Sequence, residues 1–391
     1  MKKLLVTLAL GASSFSAFAI TPLWLRDVNI SPDGKEIVFC YKGDIYKVKA
    51  AGGEAVRLTS QDSYESNPVW SPDGKQIAFA SDRFGNFDLF IMPADGGTAK
   101  RLTMNSASEI PSTFTPDGKY VVFSASIQDP ASSALFPKSG MTELYKVPVA
   151  GGRTQQMLGT PAEMVCYAPS GDFFLYQDQK GVESEWRKHH TSSITRDVWM
   201  YDTKTGKHTN LTEVAGEDRN PVLSPDGKQV YFLSERNGGS FNVYRFPLDN
   251  PKEIQPVTSF KTNPVRFLSM GNDGTLCYTY DGEIYTQPVD GKPKKVAVSL
   301  VRDDEELPVS YSFTRGASEA VVSPDGKQVA FIVRGEVFVT SVEYGTTKQV
   351  THTPEAERGL LSEQTTVRWY IPAKETVSVI CILPKSAGRK I

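Results

Sequence analysis

The sequence predicts an all-β protein, a β-propeller built from four-stranded blades. A short turn motif recurs along the chain, and strand-like patterns fill each interval between its copies. Helical signal is nearly absent, because no stretch keeps apolar residues at a period of 3.6 between capping residues for three turns. The alternative is a β-sandwich with accidental similarity between its turns. Seven copies in register disfavour that alternative.

The recurring motif is the pentapeptide S-P-D-G-K. Its exact and weaker copies stand at Ser31–Lys35, Ser71–Lys75, Thr115–Lys119, Ala168–Asp172, Ser224–Lys228, Gly271–Thr275 and Ser323–Lys327. They are spaced by roughly 40 to 55 residues, and repeats of that length with several strands each are typical of propeller blades. The interval therefore defines one blade.

Each residue of the motif has a role in a hairpin turn. Proline presets φ for the second position of a type I turn, aspartate accepts hydrogen bonds from neighbouring amides, and glycine takes the positive φ that ends the turn. We therefore place the motif between the first and second strands of a blade. In the second blade, strands over Gln76–Ala80 and Asp88–Met92 follow, then a turn at Ala94–Gly97. A short fourth strand ends in the tripeptide Arg101–Thr103.

The N-terminus has the pattern of a secretory signal peptide. Lys2 and Lys3 precede an apolar stretch over Leu4–Leu10, and Ala17–Ala19 supplies a small-x-small cleavage site. The apolar stretch is shorter than the ~20 residues that a bilayer requires. We expect cleavage near Ala19, a periplasmic protein, and no membrane span in the mature chain.

Charge and cysteine content argue against a nucleic-acid-binding protein and against a zinc site. Without the signal peptide the chain has 41 basic and 45 acidic side chains, and a net charge of −4 does not favour nucleic acid. Four cysteines lie far apart with no C-x-x-C pair, which disfavours a zinc site. Cys40 and Cys277 fall within apolar strand patterns, so we expect buried free thiols in different repeats.

Several of these motifs resemble known families. The S-P-D-G-K turn, an S-[DE]-R-x-G turn and a Gly-Gly pair before R-L-T are similar to blades of the Tol-system propeller protein and of tricorn-type proteases. The insertion over Glu185–Ser193 and the run over Gly335–Val342 resemble the bacterial periplasmic branch of tricorn-like proteases. The resemblance covers roughly Pro22 to Gly359. The repeat alone is not specific, because propellers host many functions.

The resemblance implies a domain order. In that family a six-bladed propeller comes first, a seven-bladed one follows, and a PDZ domain and a serine-protease domain lie further on. We therefore expect a signal peptide over residues 1–19, a six-bladed propeller over 20–310, and the first blade of a second propeller over 311–359. A single seven-bladed ring remains the rival arrangement.

The segment over residues 360–391 breaks the repeat. It has an apolar run over Val377–Leu383 and a basic end where another turn motif is due. It is either a divergent strand that closes the ring or a frameshift product, because back-translation one frame over allows a blade with its turns in order. In the frameshift case the chain is truncated before the protease domain, and the DNA sequence from codon 350 onward tests this.

The most unusual side chains form a candidate interface loop: Trp186, Arg187, His189 and His190. They lie in a long insertion between the second and third strands of the fourth blade. A metal site is disfavoured, because adjacent histidines on an extended chain point to opposite sides. A second insertion over Gln128–Gly140 is either a docking loop or a simple excursion.

Two acid–base pairs, Asp82/Arg83 and Glu235/Arg236, recur at equivalent turns. We expect them to lock the turns, because a single active site does not repeat around a ring. The sequence has no G-x-S-x-G elbow, phosphate loop or dinucleotide motif, so we expect no catalytic residue, no metal and no cofactor.

The predicted function is that of a non-catalytic propeller in a secreted tricorn-like serine peptidase. It gates or channels peptides, scaffolds the assembly, and has peptides, protein partners or a second copy of the chain as its binding partners. Enzymatic activity stays open, because the resemblance is to a peptidase family whose catalytic domain has no counterpart here. The alternative is a free-standing Tol-like periplasmic interaction propeller, and a glycan-active propeller enzyme is a third possibility.

Overall fold

The computed structural model confirms the all-β prediction, because all of its described elements are β-strands. It describes residues 22–127, 141–181, 194–213, 216–236, 240–300, 316–351, 357–362, 368–372 and 377–381. The predicted signal peptide lies outside the described residues. The chain forms two compact units, Met1–Arg302 and Asp303–Ile391.

The first unit contains six four-stranded antiparallel sheets, here called sheets 1 to 6 in chain order. The strands of sheets 1 to 3 are Arg26–Ile30, Glu36–Tyr41, Asp44–Lys49 and Val56–Arg57; Glu65–Trp70, Gln76–Ser81, Asp88–Pro93 and Lys100–Arg101; Glu109–Phe114, Tyr120–Ala125, Glu143–Pro148 and Gln155–Leu158. Those of sheets 4 to 6 are Ala162–Tyr167, Phe173–Asp178, Val198–Asp202 and His208–Asn210; Asp218–Leu223, Gln229–Ser234, Asn242–Pro247 and Gln255–Pro256; Arg266–Met270, Thr275–Tyr280, Glu283–Pro288 and Lys294–Lys295. The strand order predicted for the second blade is confirmed.

The six sheets form a closed ring with their first strands innermost. Each first strand contacts the first strand of the next sheet, and that of sheet 6 contacts that of sheet 1. The core lies between sheets: Val38 and Ile45 of sheet 1 pack against Ile77 and Phe79 of sheet 2. Because the middle strands are covered on both faces, the whole run Ile77–Ala80 is buried.

A short parallel ladder joins the end of the ring to its beginning. Gly53–Glu54 pairs with Val298–Ser299, and the Gly53 amide donates to the Ala297 carbonyl at 2.8 Å. Gly52 has a φ of +92°, and a Cβ there would lie 2.8 Å from the Ala297 oxygen. Only glycine fits this approach without displacing the backbone.

The S-P-D-G-K motif forms the predicted hairpin turn. In sheet 2 the Gly74 amide donates to the Ser71 carbonyl at 2.9 Å, and Gly74 has a φ of +70°. Asp73 accepts from the Lys75 amide at 3.1 Å. The serine has a role that the sequence did not reveal, since Ser71 Oγ donates to Asp73 at 2.6 Å and accepts from the Gln76 amide at 2.9 Å. One hydroxyl thus links both ends of the turn.

The second unit contains a seventh four-stranded sheet and a three-stranded sheet. Their strands are Ala317–Val322, Gln328–Val333, Glu336–Ser341 and Thr347–Gln349, and Leu361–Ser362, Arg368–Pro372 and Val377–Cys381. The domain boundaries at residues 310 and 359, and the membership of the seventh sheet in a second propeller, stay predictions.

The cysteines occupy the predicted strand positions. Cys40 and Cys277 are buried free thiols in sheets 1 and 6, and burial raises the pKa of both. Their low exposure fits a packing role, since a buried protonated thiol is unreactive.

Candidate functional site

The first strands of all six sheets line a central channel, which encloses a cavity of about 420 Å³. Identical blades around an axis leave such a channel, because side chains of the innermost strands do not meet across it. The channel is therefore a direct consequence of the repeat.

A β-bulge interrupts the innermost strand of every sheet in the ring. Each one shifts register against its second strand at the same relative position. At five of these bulges a non-glycine residue has a φ between 50° and 57°: Asp27, Asn67, Met164, Asn220 and Phe267. This conformation is strained for methionine and phenylalanine, and such strain persists only where the surroundings impose it.

Hydrogen bonds between sheets hold the bulges in place. Asn220 Oδ1 accepts from the Leu268 amide at 3.0 Å, and Asn220 Nδ2 donates to the Leu268 carbonyl at 2.9 Å. The backbone N–H of Asn220 in turn donates to Gln177 Oε1 at 2.8 Å. A longer contact of 3.4 Å runs from the Asn67 amide to Asp27 Oδ2. The channel wall is thus preorganised by bonds that cross from sheet to sheet.

The channel lining mixes apolar and neutral polar side chains and is almost uncharged. Asp27 is the only charged side chain among the described residues that line it, and Asn29, Asn67, Ser112 and Asn220 are neutral hydrogen-bonding groups. At the end where the S-P-D-G-K turns lie, the lining includes Pro32, Pro72, Pro116 and Pro169. Neutral donors and acceptors between apolar surfaces match the chemistry of a polypeptide backbone.

The two faces of the ring differ in chemistry. One face, here called the turn face, carries the S-P-D-G-K turns and their ion pairs, such as Lys35–Asp33 and Lys119–Asp117, each at 3.3 Å. The other, the loop face, carries the connections from second to third strands and from each sheet to the next. Among the described residues of the first unit, five of the six exposed large apolar side chains belong to the loop face: Leu23, Tyr64, Phe84, Met104 and Ile194.

Three of these side chains lie on loop-face connections of sheet 2, and we call this set the sheet 2 patch: Tyr64, Phe84 and Met104. Phe84 is 62% exposed and Met104 is 77% exposed. The Tyr64 amide donates to the Asp82 carboxylate at 2.7 Å, which ties it to the turn that carries Phe84. Asn86 Nδ2 donates to two carbonyls of the loop that carries Met104, at 2.9 and 3.0 Å. An exposed apolar patch on a rigid frame is typical of a binding surface.

The arginines of the S-[DE]-R-x-G turns do not use the neighbouring acid as their partner, so the predicted pairs are wrong. Arg83 bonds to Glu65, at the start of the first strand of its sheet, through two nitrogens at 3.2 Å each. Arg236 donates to Asp218, the equivalent residue of sheet 5, at 2.7 Å. The acidic group next to each arginine instead accepts a backbone amide: Asp82 from Tyr64, as above, and Glu235 from the residue before Asp218.

The reason is geometric. Asp82 opens the turn, since its carbonyl accepts from the Gly85 amide at 2.8 Å, and its carboxylate is engaged by the Tyr64 amide. The arginine side chain instead lies over aromatic rings, with Arg83 4.9 Å from the centre of Phe90 and Arg236 5.0 Å from that of Phe232. We call each Arg–acid pair an arginine lock. A structural role for these turns fits the geometry, although the partner differs from the predicted one.

The predicted interface loop lies outside the described residues, and so do Trp186, Arg187, His189 and His190. The insertion over residues 128–140 does too. The strands that flank these segments are described: Phe173–Asp178 and Val198–Asp202 in sheet 4, and Tyr120–Ala125 and Glu143–Pro148 in sheet 3. Both segments fall between the second and third strands of their sheets in the chain order. In the described part of the chain, no three metal-ligating side chains come together.

Comparison with known proteins identifies the fold. A family model described as the tricorn protease N-terminal beta propeller domain matches residues 22–292. The chain belongs to this family. The matched region corresponds to the ring of sheets 1 to 6, and the family resemblance expected from the turn motifs is confirmed.

Relatives of this tricorn-type propeller extend the likeness. The tricorn protease of Thermoplasma acidophilum is 21% identical over 337 residues, 84% of this chain and 30% of that protein. The crystal structure of the tricorn protease matches with a TM-score of 0.60 at 20% identity, covering 92% of this chain and 34% of that one. TolB from Acinetobacter baumannii matches with a TM-score of 0.52 at 19% identity, covering 70% and 64%. These structural likenesses show the fold, and the chain spans about a third of its tricorn relatives.

The described residues of this tricorn-type propeller include no helix with the length and apolar character needed to cross a membrane.

Proposed function

We propose that this chain is the non-catalytic propeller portion of a secreted tricorn-like serine peptidase. It admits or channels peptides through the ring and scaffolds the assembly through the loop face. The observation that carries the proposal is the channel of about 420 Å³, lined by all six first strands and containing a single charged side chain among its described residues.

The chemistry of the lining supports peptides as the channel's ligands. An extended peptide presents neutral amides and carbonyls at every residue, and groups such as Asn29 and Ser112 pair with either kind. The lack of charge fits peptides of varied sequence, because a charged wall would select among side chains. The preorganised bulges lower the entropy that binding loses.

Narrowing the channel tests this role. Ser112→Trp places an indole at the bulge of sheet 3, and Lys252→Trp, on an exposed turn outside the channel, is the matched control. Binding of fluorescent unstructured peptides of 6 to 10 residues to the purified chain should weaken about tenfold or more in S112W and stay unchanged in K252W. Equal peptide affinity in the wild type, S112W and K252W would show that peptides do not bind in the channel.

A second candidate function is a free-standing Tol-like interaction propeller, and the sheet 2 patch favours it. In that case the loop face, and not the channel, carries the activity. Phe84→Ser with Met104→Ser removes the most exposed apolar side chains of the patch, and Val56→Ser removes one away from the loop face. Loss of partner binding in the double variant with normal peptide binding would support this function over channelling.

We also propose export to the periplasm, on the signal-like pattern of Lys2, Lys3, Leu4–Leu10 and Ala17–Ala19. Expression of the full chain in a Gram-negative host, followed by fractionation and N-terminal sequencing, tests this. We expect a periplasmic protein that begins at Ile20. A chain retained in the cytoplasm with Met1 intact would contradict export.

A further inference from the structure

Among the described residues, a buried carboxylate in sheet 3 lacks the partner that its equivalents have. Glu109 opens the first strand of sheet 3, as Glu65 and Asp218 open those of sheets 2 and 5. It is 1% exposed, and neither of its carboxylate oxygens has a hydrogen-bond partner among the described residues. An unpaired buried carboxylate is costly and seldom retained.

The missing partner can be identified by comparison with the arginine locks. Arg83 stands two residues after the second strand of its sheet, which ends at Ser81, and Arg236 stands two residues after Ser234. In sheet 3 the second strand ends at Ala125, so the equivalent position is Ile127. Ile127 packs against the apolar cluster between sheets 2 and 3 and offers no charge. Sheet 3 thus has the buried carboxylate, but not the arginine that pairs with it in sheets 2 and 5.

The groups that face Glu109 come from sheet 2. Asp88 is fully buried, and the Glu109 amide donates to the carbonyl of Phe87, the residue before Asp88, at 2.8 Å, so the like charge of the Asp88 carboxylate acts on Glu109. Arg101 forms an ion pair with Asp88 at 2.7 Å, and the Thr103 hydroxyl lies near Glu109 without reaching hydrogen-bonding geometry. The guanidinium is therefore paired with Asp88, and the described groups of the site carry one excess negative charge, that of Glu109.

We propose that Glu109 and Asp88 form a proton-binding site in the joint between sheets 2 and 3. One proton balances the excess charge. When the proton leaves, two buried carboxylates repel each other across the joint, and the two sheets are held together less strongly. The joint is therefore a pH-sensitive element of the ring, independent of peptide binding.

The electrostatics of the two carboxyls agree with this assignment. Burial, together with the charge of Asp88, raises the pKa of Glu109 to about 7, and burial also raises the pKa of Asp88. In sheet 5 burial raises the pKa of Asp218 to about 6, although Arg236 opposes the shift.

A proton fits this site better than a metal ion. A divalent cation would lie against the Arg101 guanidinium, and it would meet only two carboxylates, whereas Ca²⁺ takes six to eight oxygen ligands. A proton needs no coordination shell and neutralises one unit of charge. A single excess negative charge therefore matches one proton better than a divalent cation.

The sign of the pH effect follows from the direction of the shift. The folded chain holds the proton of Glu109 up to a pH near 7, whereas the unfolded chain releases it near the ordinary glutamate pKa of 4.5. Stability therefore falls as pH rises from about 4.5 to 7, and the destabilisation persists above that range. Below pH 4.5 Glu109 is protonated in both the folded and the unfolded chain, so it adds no pH dependence to the stability there.

Thermal unfolding of the full chain at pH 5 and pH 8 tests the proposal. Glu109→Gln removes the charge at nearly constant shape, so its melting temperature should exceed that of the wild type by on the order of 5 °C at pH 8, with little difference at pH 5. Glu65→Gln is the matched control. It should lower the melting temperature at pH 8, because it leaves Arg83 without its carboxylate.

A second variant addresses the missing lock. Ile127→Arg supplies the absent guanidinium and should flatten the pH dependence between pH 5 and 8, whatever the baseline stability becomes. NMR of the wild type labelled with ¹³C at the glutamate carboxyls should show a resonance titrating near pH 7 that E109Q lacks. Identical pH dependence in the wild type and E109Q would overturn the proposal. So would stabilisation by Ca²⁺ at constant pH that E109Q abolishes.

Discussion

The side-chain amide of Asn220 makes two hydrogen bonds to the backbone of Leu268 in the next sheet. Its oxygen accepts from the Leu268 amide at 3.0 Å, and its nitrogen donates to the Leu268 carbonyl at 2.9 Å. The side-chain amide thereby pairs with both backbone groups of Leu268, as a neighbouring strand would, and links the bulges of sheets 5 and 6. The channel wall at this point depends on one side chain.

Removal of this amide should destabilise the ring. Asn220→Gly removes both hydrogen bonds but suits the φ of 52°, and we expect a loss of about 1–3 kcal/mol. Asn220→Ala loses the same bonds and keeps the strained φ, so it should be less stable than the glycine variant. Urea unfolding measures both. An alanine variant as stable as the glycine variant would show that the strained φ contributes nothing.

The parallel ladder that joins the end of the ring to its beginning should not tolerate a side chain at Gly52. Gly52→Ala places a Cβ 2.8 Å from the Ala297 oxygen at a φ of +92°, and we expect a loss of about 1–3 kcal/mol or more. Gly97→Ala is the control, because Gly97 has a φ of +118° with no heavy atom within 4 Å of an added Cβ. The difference between the two melting temperatures isolates the contact with Ala297. Equal losses of stability in the two variants would show that the positive φ, and not the contact with Ala297, accounts for the destabilisation.

The arginine lock of sheet 2 should behave as a buried ion pair. Arg83→Met leaves Glu65, which is fully buried, without its cation, and we expect a loss of about 3–5 kcal/mol. The double variant with Glu65→Met should recover most of that loss, because neither charge remains. Chemical unfolding of the two variants measures the coupling. A double variant no more stable than Arg83→Met would contradict a mutual role.

The turn serine should control the acidity of the turn aspartate. Two hydrogen bonds lower the pKa of Asp73: the larger effect comes from the Ser71 hydroxyl and the smaller from the Lys75 backbone amide. In Ser71→Ala the first of these is lost, so the pKa of Asp73 should rise towards its ordinary value. NMR titration of the aspartate carboxyls measures the shift, and Ser106→Ala, on an exposed loop, is the control. An unchanged titration would show that the hydroxyl does not donate to Asp73.

Much of the local structure could be predicted from the sequence. The turn motif places a hairpin wherever it occurs, because proline and glycine restrict φ locally and need no distant partner. The apolar runs beside each turn predict the strands, as at Gln76–Ser81. The Asn-Pro pairs at Asn67 and Asn220 were available as a signal for the bulges, since asparagine tolerates positive φ, but Met164 and Phe267 carry no such signal.

The sequence by itself determined the repeat, its turns, its strands and the family. Only the tertiary structure decided which charges meet. Arg83 bonds to Glu65, which precedes it by 18 residues, and Glu109 faces Asp88 of the preceding sheet. These pairings depend on how neighbouring strands and sheets pack, and no spacing along the chain encodes a packing angle. A local motif specifies a blade, whereas the joints between blades are set by contacts that exist only once the ring has closed.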